Sequence, residues 1–332
     1  MQHFIGIDIG ATNCVAAVCN SVSASEFATF TFTNSVEGIA KFTSWLATQG
    51  CNTESSVICI ETCGVYAETV CYQLKSANWN IAAEPPHKIA RTTQANSAKT
   101  DKIDAQKIAR YAARFLDQLN FWTPPSQTIE HITTLLALRE GYTRQSTALQ
   151  NQLKSIERKY VRTSLAEKML ASDITRVKER IVEIDKELKR WIDSDDSLKK
   201  MFDAIDSVPG IGQSLAIYMI VITDCFRPGF SDKQLAAHLG IAPLDYQSGT
   251  SVYRKARSRG FGHQTIRKLL YLGAMSAATH NKSFKAYYDR LVQAGKNKRL
   301  IINNIEYKLI SYACAVVRDE TVFDKNYIPV FK

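Results

Sequence analysis

No run of about 18 apolar residues occurs in this chain, which argues against a conventional membrane-spanning helix. The start of the chain lacks a signal-peptide pattern, since Met1-Gln2-His3 leads straight into a strand-like run; a cytoplasmic protein is expected. None of the eight cysteines forms a Cys-x-x-Cys pair and the six histidines are scattered, which excludes the usual zinc-cluster spacing. Six of those cysteines fall in the first 71 residues and read as buried thiols in a reducing compartment. Acid is missing altogether between Tyr246 and Tyr288, a 43-residue stretch that carries eight Lys and Arg.

What is present is positive charge. The 332 residues sum to +10 with a pI of about 9.1, which favours a polyanionic partner. The acid-free stretch holds Arg254, Lys255, Arg257, Arg259, Arg267, Lys268, Lys282 and Lys285, and such a run predicts contact with a phosphate backbone. A second basic stretch, Lys88 to Arg114, carries seven Lys and Arg, Lys99 and Lys102 among them, beside Asp101 and Asp104.

The periodicity divides the chain into three regions, 1–123, 124–198 and 199–332. In the first, strands are predicted at His3–Ile9, Cys14–Cys19, Thr29–Thr33, Val57–Glu61 and Asn80–Ala83. Helices are predicted after Ser35, over Val65–Asn78 and over Lys102–Leu116. Three strands in a meander, then helix-strand-helix-strand-helix, is the ribonuclease-H-like (RuvC-like) order, and the fold class expected is α/β plus α. Pro124-Pro125-Ser126 breaks the chain. The second region is helical: Leu135, Tyr142, Leu149 and Ile156 recur every seven residues, and Ile174, Val177, Ile181, Ile184, Leu188 and Trp191 step by three and four. Either an antiparallel hairpin or a dimerisation arm satisfies that seam. The third region is mostly helical and basic. Its Ser207-Val208-Pro209-Gly210-Ile211-Gly212 segment resembles a helix-hairpin-helix turn, whose Gly210 and Gly212 would let backbone N–H groups face a phosphate; an ordinary helix-helix turn has the same composition.

Four acids stand at chemically telling places. Asp8 interrupts the apolar run Phe4–Gly10, Glu61 ends the run Val57–Glu61, and Asp101 and Asp104 lie three apart at a predicted helix start. A carboxylate within a buried strand is costly unless its charge is offset. Two Mg²⁺ ions about 3.5–4 Å apart would offset it and could stabilise the attacking and leaving oxygens of a phosphoryl displacement. Singly, Glu61 could cap a helix, and Asp101 and Asp104 could answer a helix dipole. Asp8 has no such simple alternative. Ser248, beside Gly249 just before the basic run, is a candidate nucleophile, but from spacing alone it is one serine among many.

Asp8-Ile9-Gly10, Glu61 and Lys99-Thr100-Asp101-x-x-Asp104-Ala105 resemble the four-acid signature of DEDD-type transposases of the insertion-sequence family one-hundred-ten / eleven-eleven, related to Piv-type DNA invertases. Val208–Gly212, Leu239-Gly240-Ile241-Ala242-Pro243, Gln247-Ser248-Gly249 and the basic stretch ending Ile266–Leu270 resemble the C-terminal domain of the same family, so the likeness spans nearly the whole chain in order. The resemblance implies a bridge-RNA-guided DNA recombinase acting on target and donor duplexes in the bacterial nucleoid. Asp8, Glu61, Asp101 and Asp104 would hold Mg²⁺, and Ser248 would form a covalent phosphoserine link to DNA; Ser251 lies in the same segment. Dimers assembling to a tetramer are implied, joined through the helical region.

Three rivals remain on sequence grounds. An actin/sugar-kinase phosphotransferase would use Asp8–Thr12 as its first phosphate loop, but the second Asp-x-Gly loop and the Gly-Gly adenosine motif it needs are missing from the latter half. A Holliday-junction nuclease would use the acids without a serine. A non-catalytic nucleic-acid-binding protein would use neither.

Overall fold

The computed structural model describes residues 3–62, 64–92, 100–227, 230–248, 252–258 and 262–324, with backbone alone for 91–92, 244–248 and 252–258. Two compact units divide it at Pro124/Pro125.

The first unit begins with three strands in an antiparallel meander: β1 (His3–Ile9), β2 (Asn13–Cys19) and β3 (Ala28–Thr33). Ser35 caps α1 (Val36–Thr48), its side chain accepting from the Gly38 amide. Then come β4 (Ser56–Glu61), a short 3₁₀ turn (Gly64–Ala67), α2 (Glu68–Ser76), β5 (Ile81–Glu84), α3 (Pro86–Thr92) and α4 (Asp101–Arg114). The five strands order as β3-β2-β1-β4-β5, with β4 parallel to both β1 and β5.

Because side chains alternate across a strand, each face has its own core. Ile5, Ile7 and Ile9 of β1 join Ile58 and Ile60 of β4 and the inward sides of α1 and α2. Phe32 and Phe42 stack at 4.5 Å and Phe30 on Trp45 at 5.0 Å, seating α1. On the opposite face Phe4, Val57, Cys59 and Ala82 pack against Ile108, Ala109 and Ala112 of α4. Gly6 is where α4 crosses β1: a Cβ there would collide with the Ala105 carbonyl and the Ala109 amide. The expected elements are therefore present, most with ends moved by one or two residues. The expected Val65–Asn78 helix splits into the 3₁₀ turn and α2; β5 runs one residue later than expected, Ile81–Glu84; and α3 was not anticipated.

The second unit starts with two long helices, α5 (Gln127–Glu157) and α6 (Ser164–Asp193). The turn between them folds them into a hairpin; Arg139 on α5 pairs with Asp185 on α6 at 2.6 Å. Ile129, Ile132 and Leu136, with Ile184, Leu188 and Ile192, join the core of the helices that follow. At the far end Tyr160, Val161, Leu165 and Met169 are exposed. After the hairpin come α7 (Asp196–Asp206), α8 (Gln213–Ile222) and α9 (Asp232–His238). An antiparallel two-stranded ribbon, β6 (Pro243–Ser248) with β7 (Val252–Ser258), lies in a region expected to be mostly helical. The unit ends with α10 (Gln264–His280), α11 (Lys282–Gln293) and α12 (Lys298–Arg318). By length and composition α12 could cross a membrane. Here it is the central core helix, with Ile301, Ile305, Leu309, Ile310 and Ala313 all fully buried.

Candidate functional site

Register places the first acids. Ile7 of β1 lies opposite Ile60 of β4, so Asp8 and Glu61 follow as neighbours one step on. Glu61 in turn lies opposite Glu84 of β5. Ile7, Ile9 and Ile60 point to the α1/α2 face, so Asp8 and Glu61 belong to the face beneath α4. Both are half-buried there.

The direction of α4 brings its first turn to the same end. Ala105 packs with Val15, which pairs with Asp8 across β1 and β2, whereas Ile108, Ala109 and Ala112 reach Phe4 at the other end of β1. Asp101 and Asp104 thus begin the helix at the Asp8 end. Thr100 caps that helix, accepting from the Ile103 amide at 3.3 Å. Asp101 is exposed, and Asp104 is half-buried and bound to Lys107 at 2.8 Å. The four predicted acids therefore share one end and one face of the sheet.

Their donor chemistry suits Mg²⁺, a hard cation that takes oxygen ligands. Their spacing is more open than a closed cage: among the described residues no three His, Cys, Asp or Glu side chains stand close enough to hold a metal. Mg²⁺ at phosphoryl-transfer sites is commonly held by one or two carboxylates, with water and substrate phosphates completing the shell. A substrate-completed site of that kind fits this donor set.

Two residues here were not foreseen. Glu84 is fully buried beneath α4, bound to Lys88 at 2.8 Å and accepting from the Asn120 amide at 3.0 Å. Burial, with the Glu84 charge beside it, pushes the Cys59 thiol up. Asn34 ties the turns that follow the two strand acids. Its Nδ2 donates to the Gly10 carbonyl at 3.0 Å and to the Tyr66 carbonyl at 2.8 Å. An Asn just after a strand of Thr and Phe carried no signal beyond turn propensity.

In the second unit Ser248 ends β6, paired in register with Val252. Arg254, Lys255 and Arg257 all lie on β7. Lys99, Arg259, Gly249 and Ser251 lie outside the described residues. Lys102 is exposed on the first turn of α4. Gly210 takes a φ of +92° and sits so close to Gly273 of α10 that a Cβ would strike its carbonyl, so packing alone demands glycine there. Gly212 is exposed at the start of α8. Arg267 and Lys268 line a cleft of about 820 Å³ between α10 and α12, with Lys298 and Arg299 on its other wall. In that cleft Glu306 is 8% exposed, and burial pushes its carboxyl up to about 7 despite the nearby Arg267 and Arg299. Its helical spacing gave a signal: Glu306 falls four after Ile302 and four before Ile310, on the apolar stripe of α12.

Comparison with known proteins gives two family matches in chain order. A model of DEDD transposases of IS110 elements, described as a transposase, matches residues 5–160. A model described as transposase of the IS116/IS110/IS902 family matches residues 203–289. The chain is also 27% identical over 329 residues to the pilin gene-inverting protein of Moraxella lacunata and, to the same degree, to that of Moraxella bovis, covering 98% of each chain in both cases.

Proposed function

Because this chain belongs to the IS110 family of transposases, and so is a DNA recombinase, we propose that it exchanges DNA strands under the direction of a bridge RNA. The reaction couples an acid cluster in the first unit to a serine in the second. Asp8, Glu61, Asp101 and Asp104 would hold Mg²⁺ in a ribonuclease-H-like domain. The metal would supply charge neutralisation at the scissile phosphate. One observation carries the acid assignment: strand register and helix direction gather all four carboxylates at one end of one sheet face. The sheet order β3-β2-β1-β4-β5 supports the ribonuclease-H-like reading.

Ser248 would act as the nucleophile. Its Oγ bonds to phosphorus while the bond from phosphorus to the departing sugar oxygen breaks; the serine proton passes to a base, and the sugar oxygen takes up one proton, from that base or from water, and leaves as a hydroxyl. A hydroxyl of the incoming strand then reverses the step and frees the serine. The cations of β7 and α10, with Lys102 on α4, would grip DNA and RNA backbones while base pairing to the RNA reads target and donor sequences. Gene inversion, named in the Moraxella relatives, would use the same cutting and rejoining. The α5–α6 hairpin would join dimers, and dimers would pair into a tetramer on DNA in the bacterial cytoplasm.

The test is a covalent-adduct assay. Ser248→Ala is expected to abolish a denaturant-resistant protein–DNA adduct while leaving DNA binding intact. Asp8→Asn is expected to remove divalent-dependent cleavage. Recombination by Ser248→Ala at the parental rate would exclude this serine as nucleophile, and cleavage undiminished in EDTA would exclude the metal.

A further inference from the structure

The cleft between α10 and α12 is not needed for the bond-making and bond-breaking proposed above, although two of its cations, Arg267 and Lys268, are among those expected to grip nucleic acid. Its volume, about 820 Å³, falls in the range of small-molecule sites. Its chemistry is unusual for a surface groove. Arg267 and Lys268 line it from α10, and Lys298 and Arg299 from the first turn of α12. Four cations around a single acid leave the groove strongly positive, which calls for an anion.

A phosphate alone would not account for the rest of the lining. Tyr271, 42% exposed, stands one turn beyond Arg267 on the same side of α10, and Tyr288 contributes a second ring from α11. Two aromatic rings beside clustered cations are what an unstacked base and its phosphates require. Glu306 and Asn303 lie one turn apart on α12 and also line the cleft. A carboxylate can accept from an exocyclic amino group, and the Asn303 amide, whose Nδ2 donates to the Ile241 carbonyl at 3.3 Å, has a second N–H and an oxygen besides, so this pair can read the edge of a base.

We propose that this cleft receives one unpaired nucleotide of a single-stranded nucleic acid. Its phosphates meet the four cations, its base stacks on the tyrosines, and its amino group meets Glu306. Cytosine, adenine and guanine offer that amino group; thymine and uracil do not. The site stands independently of the strand-transfer reading, because its occupancy needs neither metal nor serine.

The experiment is fluorescence anisotropy with labelled octamers of cytosine and of thymine or uracil, as DNA and as RNA, on the full chain in EDTA. Cytosine octamers are expected to bind about tenfold tighter than thymine or uracil octamers. Tyr271→Ala with Tyr288→Ala is expected to weaken cytosine octamers about tenfold with little change in salt dependence, the size expected for lost stacking. Glu306→Met, of similar volume, is expected to erase the preference for cytosine. The ratio of DNA to RNA affinity then identifies which strand the cleft serves. Equal binding of all octamers by the parent chain would overturn the proposal. So would unchanged binding by the double tyrosine variant at an unchanged melting temperature. Tyr271→Ala alone, at an exposed position, carries the same comparison should the double variant unfold. Loss of the covalent adduct in Ser248→Ala reads the recombinase assignment separately.

Discussion

Three acids lie in one row across β1, β4 and β5, and their surroundings divide their tasks. Asp8 and Glu61 are half-buried at the strand ends, whereas Glu84 is wholly enclosed. A charge so deeply buried persists only with partners, and Glu84 has Lys88, 40% exposed, and the amide of Asn120. The pair is asymmetric. Removing the lysine strands a carboxylate in the interior; removing the carboxyl charge frees a lysine that already reaches solvent. Lys88→Met is therefore expected to cost about 3 kcal/mol of unfolding free energy. Glu84→Gln, which keeps an oxygen for Asn120, is expected to cost about 1–2 kcal/mol. Urea denaturation of both variants decides the matter, and the reverse order would show that Glu84 is not held as a paired charge.

The elements differ in how plainly the sequence announced them. β1 and β4 are continuous apolar runs, each ended or interrupted by an acid, and both strands stand out on that ground. β5 was read one residue early, as Asn80–Ala83, because Glu84 precedes Pro85-Pro86, and a charge beside two prolines resembles a turn more than a strand. The β6–β7 ribbon was illegible for a different reason: Val252-Tyr-Arg-Lys-Ala-Arg-Ser has no clean alternation of apolar and polar residues to mark a strand. In α12 the apolar residues recur at helical spacing, and Glu306 is the exception on that stripe. That exception makes the helix pH-sensitive. The groups facing it are Arg267 and Lys268 of α10, Tyr288 of α11, and Lys298 and Arg299 of α12 itself. The folded chain holds the Glu306 proton up to about pH 7, whereas the unfolded chain releases it near the ordinary 4.5. Between those values the folded state binds more protons, so this residue's contribution to stability falls as pH rises and is constant above about 7. Melting temperatures measured from pH 5 to 8 should show that decline in the parent chain and a flatter profile in Glu306→Gln; identical profiles would place the carboxyl in water.

At the scale of the molecule, the acids and the basic ribbon belong to different compact units, and the chain as a whole carries +10. Such a charge draws any polyanion, but its distribution decides what the attraction does. Between Tyr246 and Tyr288 no acid dilutes the positive field, and the two strands of the ribbon place Arg254 and Arg257 on one short β-element. Cations that neutralise phosphates release condensed counterions. Affinity for duplex DNA then falls with salt, with a logarithmic slope of about 0.9 per phosphate contacted. Such contacts carry no sequence information, which suits the RNA-directed exchange proposed above, in which base pairing would do the reading. Arg254→Gln with Arg257→Gln is accordingly expected to weaken binding to the same degree on unrelated duplexes and to reduce the salt slope by about 2. Titrations across a series of KCl concentrations, on two duplexes of unrelated sequence, measure both quantities. A slope equal to that of the parent chain would take the ribbon off the DNA backbone, and a loss confined to one duplex would make these arginines readers of bases instead.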